Sequence, residues 1–388
     1  MGARIRVVHV LEATVGGTRR HVLDLCFGLP AERFEQHLIC SLRTPAFQAD
    51  IEGLRARGVR VTVLPMRREI SPPADLGALW ALSELLRRDR PDILHGHSAK
   101  GGFLARLAAR QVQPRPATVY NPHAFPFQMT VGSVRRWVYL ELERWAGRHT
   151  DRLVAVGPSQ LALALEHRVV PPERAVLIRN GVRPTDLVTG VEREAVRAEL
   201  DLPPESPVFG TVAALVPQKD VASLVRAAAI LKRQLRDACI VIVGDGAQRK
   251  VLQQLAARLG CADSIRFLGH RQDVPRLLTG LDVFVLSSLW EGLPYALLEA
   301  GLASLPVVAT DIAGCRDLIT PGETGLLARP GDPMDLAARM SELWLNTERE
   351  TMGQRLRELV LSQYRLDQML AGHAALYEQL HGGRGLAT

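Results

Sequence analysis

The sequence predicts an α/β protein built as two doubly wound, Rossmann-like domains. Three observations carry this. Short β-branched, apolar runs alternate with amphipathic stretches along nearly the whole chain, the pattern of a parallel sheet with helices on both faces. The alternation stops across a proline-rich, charged stretch near residues 182–207 and then restarts. A length of 388 residues also exceeds what one core ordinarily organises.

The first series begins with a strand over Arg4–Val10, and Gly16-Gly17 opens a helix to about Leu29. Strands follow at Gln36–Ser41 and Gly58–Leu64, then a helix over Leu76–Arg88 and a strand over Asp92–His97. Lys100-Gly101-Gly102 leads into a helix ending near Arg110. A strand at Ala117–Tyr120, a long helix at Val134–Ala146, and strands at Arg152–Val156 and Ala175–Ile178 close the set. The second series has strands at Val208–Val212, Cys239–Val243, Ile265–Leu268, Leu281–Leu286 and Leu305–Ala309. The domains are therefore set at 1–185 and 186–360, with 361–388 a C-terminal helix returning to the first. Ligands in such sheets bind at the C-terminal ends of the strands, which places a shared cleft between the two domains.

Composition narrows the function classes. With 47% hydrophobic and 23% charged residues the chain reads as a soluble α/β protein. No apolar run approaches the ~20 residues of a membrane span, and the N-terminus reads as a first strand rather than a signal peptide. Five scattered cysteines without CxxC spacing fit reduced thiols in a cytoplasmic protein. The first 185 residues hold 27 Lys+Arg against 16 Asp+Glu, whereas the remainder holds 21 against 25. A basic first half suits an anionic membrane face or a lipid-phosphate acceptor, or an arginine-rich surface without a partner. Nucleic acid is set aside because no basic-aromatic interleaving or known motif supports it.

The most informative segment is Glu291-Gly292-Leu293-Pro294-Tyr295-Ala296-Leu297-Leu298-Glu299. It follows a strand, so Glu291 stands in an exit loop, the helix is expected over Leu293–Leu302, and Glu299 lies about 12 Å further on at ~1.5 Å per residue. The N–H groups of a helix start favour phosphate. One site can then hold sugar hydroxyls, a diphosphate and ribose in sequence. Lys219, in the exit loop of the second domain's first strand, is placed to neutralise a diphosphate, against the plain reading of a solvated loop lysine. Gly16-Gly17 let backbone approach a ligand closely, or form an ordinary strand-to-helix turn. Gly244-Asp245-Gly246 lacks the third glycine of a dinucleotide fingerprint and reads equally as a tight turn. His123 is placed to bond a sugar or shuttle protons, or to pack beneath Phe125 and Phe127. His95-Gly96-His97 lacks a third ligand nearby and no Asp-x-Asp pair exists, so no metal is expected.

Taken together and in order, these pieces resemble the retaining glycosyltransferases of family GT4, with the two-domain GT-B fold, over nearly the whole chain. The matching segments are Gly16-Gly17-Thr18-Arg19-Arg20-His21-Val22, His95-Gly96-His97-Ser98-Ala99-Lys100-Gly101-Gly102, Tyr120-Asn121-Pro122-His123, Asn180-Gly181-Val182, Pro217-Gln218-Lys219-Asp220, the Glu291–Glu299 segment and Thr310-Asp311-Ile312-Ala313-Gly314. The resemblance implies transfer of a hexose-type residue from a nucleotide diphospho-sugar, as co-substrate and without a metal, with retained anomeric configuration. It implies Glu291 on the donor sugar, Glu299 on the ribose, Gly292 and Leu293 N–H groups and Lys219 on the phosphates, Gly16-Gly17 facing the diphosphate, and His123 beside the sugar. Gly244 is placed with the donor-binding set.

One departure stands out. The family carries an arginine five residues before the lysine, and here that position is Ala214. Another cation, Arg183 or Arg316, then compensates, or turnover is slow, or the protein binds without transferring. A sugar-nucleotide 2-epimerase shares the architecture and is the alternative enzyme. On the acceptor side, the expected partner is a sugar or lipid-linked acceptor of cell-surface polysaccharide synthesis. The expected location is cytoplasmic, with peripheral contact to the inner membrane face. Arg67-Arg68, Arg135-Arg136 and the loop Phe125–Met129 supply a cationic-apolar contact face. The helical spacing of Val134, Trp137, Val138 and Trp145 argues instead that this helix points its apolar side into the core.

Overall fold

The computed structural model describes residues 4–44, 46–67, 69–186 and 192–385. The chain divides into two units, Met1–Asn180 together with Leu366–Thr388, and Gly181–Arg365. The boundary falls just after Asn180 for a local reason. Val182 forms a parallel bridge to Arg365 and donates its N–H to the Tyr364 carbonyl at 2.9 Å, so both chain crossings are tied inside the second unit.

In the first unit the elements are β1 (Ile5–Leu11), α1 (Gly16–Gly28), β2 (Phe34–Cys40), α2 (Ala46–Ala56), β3 (Arg60–Val63), α3 (Pro72–Asp89), β4 (Ile93–His97), α4 (Ala99–Ala109), β5 (Ala117–Asn121), α5 (Ser133–Gly147), β6 (Arg152–Ala155), α6 (Pro158–Glu166) and β7 (Ala175–Leu177). The seven strands are parallel in the order β3-β2-β1-β4-β5-β6-β7. Strand order reverses between β1 and β4, and their C-terminal ends, Leu11 and His97, are register partners. Such a switch point is where loops diverge and leave a crevice.

In the second unit α7 (Arg193–Glu199) precedes β8 (Val208–Val212), α8 (Val221–Leu231), β9 (Cys239–Val243), α9 (Arg249–Arg258), β10 (Ile265–Gly269), α10 (Val274–Leu278), β11 (Val283–Leu286), α11 (Tyr295–Leu302), β12 (Val307–Thr310), α12 (Ala313–Arg316), β13 (Leu326–Ala328), α13 (Pro333–Leu345) and α14 (Arg349–Gln363). The sheet order is β10-β9-β8-β11-β12-β13, again parallel. Its switch point lies between β8 and β11. All four residues of β11 are buried, and at ~1.5–3 kcal/mol per buried large apolar side chain this strand anchors the loop it feeds. Helix α15 (Leu366–Gly385) packs on the first unit, with Met369 and Tyr377 in the same core cluster as Val7 of β1 and Ile93 of β4.

Three differences from the sequence reading have physical causes. The helix expected from Leu293 begins at Tyr295, because Pro294 takes an extended conformation (φ −76, ψ 119) as its cap residue. Gly244-Asp245-Gly246, which follows a strand and is expected to open a helix, leads instead into a turn, and α9 begins only at Arg249. Strand β13, three residues long after a turn with positive φ at Gly322 and Gly325, is too short to show a period.

Candidate active site

The loops leaving β8 and β11 meet because those strands are neighbours. Lys219 closes a single 3₁₀ turn (Pro217–Lys219) and is followed by Asp220 in the left-handed region (φ 41). Asp220 caps α8 by accepting from the Ser223 hydroxyl at 2.6 Å and the Ser223 N–H at 3.3 Å. This pins the backbone next to Lys219. From the other loop, the Ser287 hydroxyl donates to the Lys219 carbonyl at 2.8 Å, and the Leu289 N–H donates to the Gln218 carbonyl at 2.8 Å.

On this frame the Lys219 ammonium pairs with Glu291 Oε1, with side chains 21% and 9% exposed. Oε1 also accepts from the Ser288 hydroxyl at 2.7 Å. Gln218 Nε2 donates to the Trp290 carbonyl at 2.9 Å and reaches Glu291 Oε2 at 3.4 Å. Oε1 is thus saturated by a cation and a hydroxyl, while Oε2 keeps acceptor capacity for a ligand hydroxyl. A lysine read from its loop alone as solvated is therefore the counter-ion of the Glu291 carboxylate.

The loop beyond Glu291 is held from beneath. The Thr310 hydroxyl donates to the Ser288 carbonyl at 2.5 Å. At the start of α12, a Cβ on Gly314 would sit 2.1 Å from the Gly292 carbonyl oxygen, so only glycine lets these two loops touch. Cys315, next along, is fully buried, and desolvation, then the Glu291 charge, pushes its thiol pKa well above the ordinary value. Gly292 and Leu293 are buried and Glu299 is half-buried in the second turn of α11. Gly244 donates its N–H to the Gly269 carbonyl at 2.8 Å and lies against the Ala213 carbonyl, so it shapes the sheet edge behind the loop. Ala214 is exposed. Of the two compensating cations considered, Arg316 pairs with Asp311 at 2.6 Å, and Arg183 donates its backbone N–H to Asp186 Oδ2 at 3.4 Å.

In the first unit, Gly16 starts α1 with φ +62 and nothing within 4 Å of where a Cβ would lie, and both Gly16 and Gly17 are exposed. His123, just past β5, also takes positive φ (58), as does Ser98 just past β4 (61). Such strained residues cluster at functional sites. His123 is not beneath Phe125 and Phe127, which stack on each other at 4.8 Å. It lies instead against His21, with centroids 4.7 Å apart, and its Nε2 is 3.3 Å from His97 Nδ1.

The expectation that His95 and His97 lack a third nitrogen partner is overturned. Strand pairing sets His9 directly opposite His95, and two triads, His9-His95-His97 and His21-His97-His123, bring ligand atoms within 4.8 Å. Four of these ten ring nitrogens pair with one another, and three more bond Asn180, Asn121 and Tyr377. His21 bonds Asn180 Oδ1 at 2.9 Å and Asn121 Nδ2 at 3.3 Å. His97 bonds His9 at 3.1 Å and His123 at 3.3 Å. His95 Nδ1 meets the Tyr377 hydroxyl at 2.6 Å. Burial holds the His9 and His123 pKa values down at about 3 and those of His21, His95 and His97 well below the usual range, so the rings are neutral.

A family model described as "Glycosyl transferase 4-like domain" matches residues 16–181, and one described as "Glycosyl transferases group 1" matches 192–358. The chain is 32% identical over 335 residues to the Escherichia coli UDP-Gal:alpha-D-GlcNAc-diphosphoundecaprenol alpha-1,3-galactosyltransferase, covering 85% of each chain. The protein is a GT4-family glycosyltransferase. This glycosyltransferase is also 30% identical over 362 residues to the Rhizobium meliloti lipopolysaccharide core biosynthesis glycosyltransferase LpsE, covering 93% of this chain and 95% of that one. Its GT-B fold matches Anabaena HepE, solved with UDP-glucose, with a TM-score of 0.81 at 20% identity over 97% of this chain and all of that one. WaaG, described as involved in lipopolysaccharide biosynthesis, matches at TM-score 0.76 and 19% identity, covering 96% and 99%. The 2-epimerase alternative is not favoured by these relatives.

The contact face expected of the glycosyltransferase changes composition. Phe125 and Phe127 are buried and leave it. The apolar residues of α5 are exposed, Val134 at 75%, Trp137 at 61%, and Val138, Leu142 and Trp145 between 37% and 39%. The expectation from helical spacing that this stripe faces the core is therefore overturned, because periodicity marks a stripe without showing which neighbours cover it. Arg135 and Arg136 are exposed on the same turn, and Arg68 lies outside the described residues. No helix among the described residues is long and apolar enough to cross a membrane.

Proposed function

We propose that this glycosyltransferase moves a hexose-type residue from a nucleotide diphospho-sugar, with retention of anomeric configuration, to a lipid-linked sugar acceptor in cell-surface polysaccharide or glycolipid synthesis. The observation that carries the reading is the Lys219–Glu291 pair at the switch point of the second unit, with Gly292, Leu293 and Glu299 following in line. Glu291 Oε2 takes donor-sugar hydroxyls. The Lys219 ammonium, with the Gly292 and Leu293 backbone, takes the diphosphate, and Glu299 the ribose. Gly16 and Gly17 give backbone approach to the ligand, and His123 a sugar hydroxyl. The donor's negative charge grows on the diphosphate oxygen as the glycosidic bond breaks, and preorganised charge there is the main catalytic term. No protein nucleophile is assigned, and no metal is required by this scheme, since Lys219 supplies the countercharge. The relatives' names support the acceptor class: one acts on a diphosphoundecaprenol-linked sugar and one on lipopolysaccharide core.

The acceptor class also gives α5 a role. Exposed Val134, Trp137 and Val138 beside Arg135 and Arg136 form an interfacial anchor for an anionic lipid surface. We infer from this reading a cytoplasmic protein that is peripheral on the inner membrane face. A thermal-shift screen against UDP-, GDP- and ADP-sugars, repeated with Glu299→Ala, tests the donor reading. A rise for one nucleotide class that the variant loses supports it; equal shifts in both proteins, or none in either, would remove the donor from this site.

A further inference from the structure

Three buried side chains of the first unit and one half-buried one stand in file: Gln36, His9, His97 and His123. Strands β1, β2 and β4 put the first three on one sheet face, since Val7 pairs with Gln36, His9 lies two residues beyond Val7, and His97 is the register partner of Leu11. His9 Nδ1 is 3.1 Å from His97 Nε2, and His97 Nδ1 is 3.3 Å from His123 Nε2. A neutral imidazole has one donor and one acceptor nitrogen, so two such links in series can run in only two directions. Gln36 decides which. Its amide nitrogen donates to the Cys26 carbonyl at 3.1 Å, which leaves its Oε1 as the acceptor toward the ring. His9 Nε2 and Gln36 Oε1 are both buried, and neither has a hydrogen-bond partner in the structure. The Gln36 side chain nonetheless lies within reach of the His9 ring and favours its protonated form, the sign expected of an acceptor. Pairing these two atoms satisfies both and puts the His9 proton on Nε2.

We propose that this file fixes the tautomer of His123, with its proton on Nε2 toward His97 and its Nδ1 left as a lone-pair acceptor. His9 Nδ1 then accepts from His97 Nε2–H, and His97 Nδ1 accepts from His123 Nε2–H. Gln36, His9 and His97 are positioning residues. The consequence is a specificity statement that rests on the reading of His123 as a substrate contact. A neutral ring presenting a lone pair binds a hydroxyl that donates to it and repels a phosphate oxygen. His123 therefore faces a sugar hydroxyl, not the diphosphate. His21 is outside the file. Its Nδ1–H goes to Asn180 Oδ1 and its Nε2 accepts from Asn121 Nδ2, whose Oδ1 is turned away by the His123 backbone N–H at 3.4 Å.

The test uses the full chain labelled with ¹⁵N-histidine. Long-range ¹H–¹⁵N spectra read each tautomer directly at pH 7 and do not depend on turnover. The expected result is Nε2–H for His9, His97 and His123 and Nδ1–H for His21. Gln36→Leu should bring Nδ1–H forms into His9, His97 and His123 together. His97→Leu should lower kcat/KM about tenfold, the worth of roughly one net hydrogen bond. His97→Asn, whose Oδ1 replaces the Nδ1 acceptor, should restore most of it. An Nδ1–H His123 in the wild type, or tautomers that ignore Gln36→Leu, would overturn the proposal. So would one equivalent of a transition metal on the purified protein, because the 3.1 Å nitrogen pair would then be two ligands. If the spectra are as expected but His97→Leu transfers sugar at the wild-type rate, the substrate role of His123 fails and the tautomer assignment stands.

Discussion

Replacing Lys219 separates its two roles, because one is measured as stability and the other as rate. In Lys219→Ala the Glu291 carboxylate, 9% exposed in the wild type, keeps the Ser288 hydroxyl and the weak Gln218 contact but loses its counter-ion. Removing one partner of a buried pair costs ~3–5 kcal/mol, and an exposed pair is worth ~0–1. With Lys219 itself 21% exposed, the pair lies between these limits, and about 2–3 kcal/mol is expected. For a unit of this size that is a fall in Tm of roughly 5–10 °C, at about 2–4 °C per kcal/mol. Glu291→Gln added to it removes the orphaned charge and keeps an amide oxygen for Ser288, so the double variant should regain all but about 1 kcal/mol. Turnover should behave differently. Loss of the cation at the departing diphosphate should lower kcat by about 10²–10³, and the second change should not restore it. Thermal melts and initial rates on the four proteins of the cycle measure both. A double variant that regains turnover would show that Lys219 serves only to neutralise Glu291. A Lys219→Ala protein with wild-type Tm and rate would refute the site.

Other consequences follow from the same geometry. Glu299→Ala should weaken nucleotide-sugar binding about 10–100-fold, the worth of a charged hydrogen bond of ~1.5–3 kcal/mol, measured by calorimetry. Gly314→Ala forces a Cβ to within 2.1 Å of the Gly292 carbonyl and should both destabilise the second unit by about 1–3 kcal/mol and weaken donor binding, read by urea unfolding and donor titration. Arg135→Ala with Arg136→Ala should lower binding to vesicles containing phosphatidylglycerol about 30-fold, at ~1 kcal/mol per basic residue, with no change on neutral vesicles. The buried histidines make the first unit acid-labile. His9 and His123 have folded pKa values near 3 and His373 near 4, against 6.5 when unfolded. The unfolded chain therefore binds more protons below pH 6.5, and the stability they contribute is complete above 6.5. It is lost as pH falls toward 4, by up to ~1.4 kcal/mol per unit for each ring. Urea midpoints from pH 8 to pH 4.5 check the slope; a flat profile would contradict the buried neutral rings.

How far the sequence disclosed this site depends on what kind of signal each residue left. Lys219 and Glu291 were legible because each stands in the exit loop of an apolar strand, where ligands meet doubly wound sheets. Their ion pair needed the strand order, since β8 and β11 are adjacent although two strands and three helices separate them in the chain. The histidine file was hidden for the same reason. His95 and His97 looked like a pair without a third ligand because His9, His21 and His123 come from elements far away in sequence. One signal was available: His9 sits in a strand whose neighbours are Val7, Val8, Val10 and Leu11, and a polar residue at such a position asks for a partner. In α5 the helical period of Val134, Trp137 and Val138 was taken to point into the core, whereas the structure leaves these side chains exposed. Periodicity identifies a stripe, and only the packing of neighbours shows that it faces outward.

The most direct measurement is transfer of labelled sugar from UDP-, GDP- and ADP-sugars to a polyprenyl diphosphate-linked N-acetylhexosamine in anionic vesicles, with the product's anomeric configuration read by NMR. The account predicts a product from one nucleotide class, with the donor's configuration retained and lost in Glu291→Ala. Inverted product, release of a free epimerised sugar, or transfer unaffected by Glu291→Ala would contradict it.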